Sequence, residues 1–205
     1  MSELSLRERK KQRTRTALIE VSRRLFEEQG YDATTLEQIC EQVEVSVPTL
    51  LAYFESKDRL ALAAEYDTLE RFRQIVLDPE RDADTLTSWR DVVERGATGV
   101  LSRRRAYVRR LEFIDSSPAL GRGTLAVLQG YEDVLAQGLA RDFGTDPDSD
   151  LATRLMATTL SFGNQSALRS WFAEGGKGDL LGAVVGVVDF VIERFPRPGA
   201  DVTSA

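Results

Sequence analysis

At 205 residues, with 42% hydrophobic and 29% charged side chains, the chain can bury one sizeable core or a small domain packed on a larger one. A single cysteine rules out an internal disulfide framework, and the absence of histidine rules out Ser-His or Cys-His nucleophiles and His-rich zinc sites. The net charge of −6 argues against a uniformly basic nucleic-acid binder, yet the first 24 residues hold eight Lys/Arg against three Glu, a local +5 that leaves −11 for the rest.

In chain order, a first helix is predicted from Ser5 or Arg7 to Gln29, with Leu18, Val21, Leu25 and Phe26 on its buried side and Gly30 as its stop. Leu4 and Leu6 lie among charges, so no secretory signal is expected there, and a lone thiol suits a reducing cytoplasm. Two short helices follow. One starts at Thr34 or Thr35, each with a capping-box partner three residues on (Glu37 or Gln38), and buries Leu36, Ile39, Cys40 and Val43. Cys40 therefore reads as core. Glu44 and Val45 form a tight break and Ser46 caps the next helix. Pro48 sits just inside it, where a missing N–H costs little, and Leu50, Leu51 and Phe54 face inward. Ser56 caps a fourth helix over 57–77, ended by Asp78-Pro79. The polar, acidic segment 78–87 reads as the joint before the second part of the chain.

Beyond the joint every segment reads as helix: 88–101, 103–115, 118–143, 149–173 and 179–195, with no strand alternation or internal repeat. The last is apolar on nearly every side from Leu180 to Ile192. Those thirteen residues, which include Asp189, fall short of the ~20 that a membrane span needs. Burial on two faces is expected instead, one against its own domain and one against a second copy. Gly178, Gly182 and Gly186 recur every four residues and would permit close helix approach.

Two short helices, a brief turn and an exposed second helix describe a helix-turn-helix. Residues 17–63 resemble the DNA-binding domain of the tetracycline-repressor (TetR) family of bacterial regulators. The resemblance is carried by Leu25-Phe26, Gly30-Tyr31, Thr34-Thr35, Ile39, Val45-Ser46, Thr49-Leu50, Tyr53-Phe54, Lys57 and Leu60. Glu44 departs from it: the family usually has Gly there, so a turn position that often needs positive φ must tolerate a side chain. Leu51-Ala52 also depart, standing where an aromatic and a polar residue are more usual. The resemblance implies an all-α chain of about nine helices. A three-helix DNA-binding head would occupy 1–60, a helical ligand-binding and dimerisation domain 61–195, and a disordered tail 196–205. The helix over 57–77 is the expected lever between head and larger domain. The implied protein is a cytoplasmic homodimer that represses transcription from a pseudo-palindromic duplex operator, without catalytic residues, metal or cofactor.

Affinity for DNA is expected from phosphate contacts. The candidates are Lys57, Tyr53, the helix N-terminus at Thr34/Thr35, and the basic run from Arg7 to Arg15, with Arg13 and Arg15 reaching neighbouring phosphates or the minor groove. Specificity falls to Ser46, Val47, Pro48, Thr49 and Ala52. No Arg, Lys, Asn or Gln lies between 46 and 56. Apolar contacts to thymine methyls plus one hydrogen bond from Thr49 or Ser46 are therefore expected in place of bidentate guanine readout, with DNA shape supplying the remainder. Ser46 and Pro48 are also readable as helix starters alone, and Tyr53 as partly core.

In the second domain, Trp89, Tyr107, Phe113, Tyr131, Phe162 and Asn164 are the candidates to line a pocket for a mainly apolar small ligand. The aromatics are also readable as plain core, and Asn164 as facing solvent or an interface. Arg103-Arg104-Arg105 and Arg109-Arg110 either grip an acidic ligand, touch the head or face solvent. By resemblance, the last two helices form the dimer interface, through Leu160, Trp171, Leu180, Gly182, Val184, Gly186, Val187 and Val191. Two other readings compete. In one the second domain only dimerises or binds a protein partner, and in the other Asp115, Glu112 or Tyr131 would do acid–base work in a helical enzyme. No residue spacing suggests a catalytic pair.

Overall fold

The computed structural model describes residues 5–195, and among them every regular element is an α-helix. The elements are α1 (Leu6–Gln29), α2 (Leu36–Val43), α3 (Val47–Phe54), α4 (Lys57–Ala61), α5 (Ala63–Leu77), α6 (Thr85–Ser102), α7 (Arg104–Asp115), α8 (Pro118–Phe143), α9 (Leu151–Ala173) and α10 (Leu180–Arg194). The tail expected over 196–205 lies outside the described residues. No described helix is long and apolar enough to cross a membrane.

Local chemistry sets most of the helix starts. Ser5 and Glu8 form a capping box on α1, and of the two candidate boxes on α2 the chain uses Thr35 with Gln38. Asp84 accepts the Thr87 N–H at 2.7 Å, so α6 begins at Thr85, earlier than the 88 read from the apolar pattern. The helix expected over 57–77 is interrupted at Leu62, where φ −103° and ψ 22° leave the helical region. That break makes ten helices rather than nine among the described residues. It also seats the fully buried Leu62 against Gly123, where even an added Cβ would come within 2.6 Å of the Leu62 Cδ1.

The chain forms two compact units: Met1–Asp67 with Arg109–Leu125, and Thr68–Val108 with Ala126–Ala205. The division falls inside α5, α7 and α8. In the first unit Leu18, Phe26, Tyr31, Ile39, Leu50, Phe54 and Leu60 share one core with Ile114 and Leu120. Residues 109–125, assigned to the larger domain from sequence, join this unit for two reasons. Phe113 packs its ring 5.7 Å from Phe26, and Arg110 forks onto Glu65 at 2.8 and 2.7 Å while donating to the Ala61 carbonyl.

In the second unit Phe72, Trp89 and Tyr131 stack mutually, with centroids 5.1–5.6 Å apart. α10 turns Leu180, Val184, Val188 and Val191 inward at helical spacing and packs on α9 and α6. The polar stretch read as a joint is instead clasped within this unit. Arg141 donates to the carbonyls of Asp78 and Pro79 at 2.7 Å each, and Arg81, nearly buried, pairs with Asp142. A flexible linker would not have its backbone carbonyls committed in this way.

Candidate nucleic-acid interface

α2 and α3 are held by their own caps and by α1. Glu44 closes α2 in the left-handed conformation, φ 56° and ψ 44°, so the turn adopts the geometry glycine favours and the side chain bears its strain. Ser46 Oγ accepts the Thr49 N–H at 3.3 Å and lies 2.8 Å from Thr49 Oγ1. Leu50 and Phe54 anchor α3 in the core, while Ser46, Pro48, Thr49 and Ala52 are exposed and Val47 is half-buried. Pro48, Thr49 and Ala52 stand at i, i+1 and i+4, so they share one open face.

Several expected contact residues have work inside the head. Thr34 is fully buried, and its hydroxyl donates to the Gly30 carbonyl at 2.8 Å, so it cannot be presented to a ligand as Thr35 can. The Lys57 ammonium donates to the carbonyls of Tyr31 (2.9 Å) and Thr34 (2.8 Å) and lies 4.2 Å from the Tyr31 ring centroid. Two of its three N–H bonds are thus committed to holding the start of α2. Arg15 pairs with Asp67 at 2.6 Å and covers the Phe54 ring. Tyr53 is half-buried against the core, and Arg13 is exposed. The basic run from Arg7 to Arg15 lies within α1. A helix is about 10 Å across, against about 6 Å for the B-DNA minor groove, so only the side chains of this surface, and not the helix itself, could enter that groove.

Burial pushes the Tyr31 hydroxyl up to about 12, with Asp58 and Asp32 adding to the effect. It also raises the Cys40 thiol, which keeps that buried cysteine protonated and unreactive. A polar brace escaped the sequence reading. Gln29 Nε2 donates to both Thr34 Oγ1 (3.1 Å) and Gln38 Oε1 (2.9 Å), tying the end of α1 to the capping box of α2. Its only sequence signal is an amide side chain in the last turn of α1.

Of the candidates for a ligand pocket, the structure brings together Trp89, Tyr131 and Asn164, around Phe72, which sequence reasoning did not single out. Trp89 Nε1 donates to Asn164 Oδ1 at 2.9 Å, and Asn164 Nδ2 donates to the Val184 carbonyl at 2.6 Å. Phe113 belongs to the other unit, beside Phe26 and Tyr31. Tyr107 and Phe162 are half-buried. Arg103, Arg104 and Arg105 are all exposed, and Arg104 lies over Trp171 and donates to the Gly175 carbonyl.

Among the residues named for a dimer interface, Leu160, Trp171, Leu180, Val184 and Val191 are buried within the single chain, Val187 is half-buried, and Gly182 and Gly186 are exposed. A Cβ on Gly163 would meet Val187 Cγ1 at 2.9 Å, so close α9–α10 packing uses that glycine. The outward faces of the two helices carry other apolar side chains: Leu151 and Leu155 (47% exposed) on α9, Leu181 and Phe190 (51%) on α10.

Two family profiles match. The profile of bacterial regulatory proteins of the tetR family covers residues 18–64, and that of the MftR C-terminal domain covers residues 84–196. The HTH-type transcriptional regulator TcmR of Streptomyces glaucescens is 30% identical over 173 residues, 82% of this chain and 76% of TcmR. Two solved structures share the fold. SmeT, the repressor of the Stenotrophomonas maltophilia multidrug efflux pump SmeDEF, superposes with TM-score 0.57 at 20% identity, over 93% of this chain and 94% of SmeT. Thermus thermophilus FadR, in complex with lauroyl-CoA, superposes with TM-score 0.58 at 20% identity, over 93% and 97% of the two chains. A capped helix-turn-helix on a basic α1, followed by a larger helical unit that matches a family C-terminal domain, leads to one conclusion: this chain belongs to the TetR family of DNA-binding transcriptional regulators.

Proposed function

We propose that the protein is a homodimeric repressor that places α3 of each copy in the major groove of a pseudo-palindromic operator and is released by a mainly apolar small molecule. The observation that carries the DNA half of this reading is the open face of Pro48, Thr49 and Ala52 on a helix anchored from behind by Leu50 and Phe54. Thr35 at the start of α2, Tyr53 and Arg13 then serve phosphates, and Lys57 acts mainly by fixing the α2 start. Dimerisation falls to the outward stripe of α9 and α10, with Leu155, Gly186 and Phe190 at its centre. Apolar surface of this kind on paired helices is costly to leave in water.

In the larger unit, Trp89 and Asn164 spend their polar groups on each other and on the Val184 carbonyl. The Phe72, Trp89 and Tyr131 rings pack on one another beside this pair, so a ligand admitted among them would meet mainly apolar surface. SmeT is the repressor of an efflux pump and Thermus thermophilus FadR is a repressor in complex with lauroyl-CoA, and both agree with a ligand-released repressor. Such a ligand must bind the DNA-incompetent arrangement more tightly than the competent one. The helices α5, α7 and α8, each of which contributes to both units, are the elements it would have to bias.

A second reading, in which the larger unit serves only dimerisation or a protein partner, draws support from tight packing. Side chains at Gly130 and Gly138 would collide with Leu69, and with Val76 and Thr85, so α8 lies hard against its neighbours. Footprinting on the DNA upstream of the protein's own gene, repeated with metabolite extracts, separates the two. Protection of a pseudo-palindrome that some extract relieves supports the sensor. Protection that no extract relieves leaves the second reading standing.

A further inference from the structure

The exposed face of α3 carries almost no hydrogen-bonding capacity, and the structure reduces it further. Ser46 Oγ is committed as the cap acceptor for the Thr49 N–H, and the two hydroxyls lie 2.8 Å apart and bond to each other. One hydroxyl hydrogen is consumed in that pair, so the two residues together offer a single O–H donor. The remainder of the face is the Pro48 ring, the Ala52 methyl and the Thr49 methyl. A lone hydroxyl does not provide the paired donors that read guanine or the donor–acceptor pair that reads adenine. What this surface can distinguish in the major groove is the presence of a methyl group.

We infer that Pro48, Ala52 and the Thr49 methyl make the protein a reader of the pyrimidine C5-methyl group, so that 5-methylcytosine substitutes for thymine at the contacted position. Thymine and 5-methylcytosine project the same methyl from the same ring carbon. They differ at C4, where thymine presents an oxygen acceptor and 5-methylcytosine an amino donor. The single hydroxyl can orient to accept or to donate, because either member of the Ser46–Thr49 pair can supply the hydrogen. Cytosine methylation within a half-site would then strengthen binding, and the affinity of the regulator would depend on the methylation state of the DNA.

This inference rests on the placement of α3 in the major groove, and its test separates the two. The full chain is used to enrich a duplex from a random-sequence pool. Each thymine of the enriched half-site is then replaced in turn by deoxyuridine, symmetrically in both halves. Loss of one well-packed methyl is worth about fourfold, so one symmetric pair should weaken binding about 15-fold. Replacing the same thymine by cytosine should lose at least as much, and 5-methylcytosine should recover most of the loss. Pro48→Ala and Ala52→Gly should each shrink the thymine-to-deoxyuridine penalty, with Pro48→Ala guarding against the helix-weakening effect of a new glycine. An enriched duplex indifferent to deoxyuridine at every position overturns methyl readout and leaves major-groove binding intact. Failure to enrich any duplex overturns both.

Discussion

Replacing Lys57 by methionine tests whether this lysine works as a strap inside the head or as a phosphate contact. The substitution keeps the aliphatic stem and removes two charge-assisted bonds, to Tyr31 O at 2.9 Å and Thr34 O at 2.8 Å, together with the ammonium over the Tyr31 ring. Each such bond is worth about 1.5–3 kcal/mol and the cation–π contact about 0.5–1 kcal/mol, and releasing the lysine side chain returns about 2 kcal/mol of rotamer freedom, for a net loss of about 1.5–5 kcal/mol. Thr34 is fully buried, so water cannot easily replace the lost donor at its carbonyl. For a chain of this length the melting temperature should fall by about 3–20 °C. Operator affinity should drop because the start of α2 loosens, while the slope of log K against log salt stays unchanged. An unaltered melting temperature, with the salt slope flatter by about one unit, is the signature of a lost phosphate contact and would refute the strap.

Other outcomes follow from the same geometry. Glu44→Gly relieves a left-handed side chain and should stabilise the protein by about 1 kcal/mol in urea unfolding, without changing operator affinity. Asn164→Leu strands the Trp89 N–H and removes the second hydrogen bond on the Val184 carbonyl, which keeps its bond within α10, and should cost about 1–3 kcal/mol by the same measurement. The raised Tyr31 hydroxyl has an alkaline consequence. Its ordinary value is about 10 and its folded value about 12, so its contribution is complete below pH 10 and is lost as pH rises toward 12. Tyr31→Phe should therefore lose less stability than the parent chain across that window. Phe190→Asp should convert the dimer to monomers in sedimentation velocity while leaving the single-chain fold intact, because Phe190 is half exposed in the isolated chain.

The helix-turn-helix was readable because its signals are local. Thr35 with Gln38, Ser46 before Pro48, and the stripe of Ile39, Cys40, Leu50 and Phe54 depend on near neighbours in sequence. What escaped depends on tertiary packing. Nothing in the sequence near Phe113 says that its ring meets Phe26, 87 positions away, instead of lining the larger unit. A run apolar on every side, such as Leu180–Ile192, does not reveal which stripe turns inward. The structure puts Val184, Val188 and Val191 inside and leaves Gly186 and Phe190 outside. Lysine 57 shows the same limit at a site residue. Its position near the recognition helix was legible, but the carbonyls that capture its ammonium belong to a loop 23–26 residues earlier.

Sedimentation of the purified chain at low salt, alone and with its enriched duplex, tests most directly whether two copies deliver two α3 helices to DNA. A dimer in the absence of DNA, and two chains per duplex in its presence, is the predicted result. A chain that stays monomeric and ignores duplex DNA would contradict it.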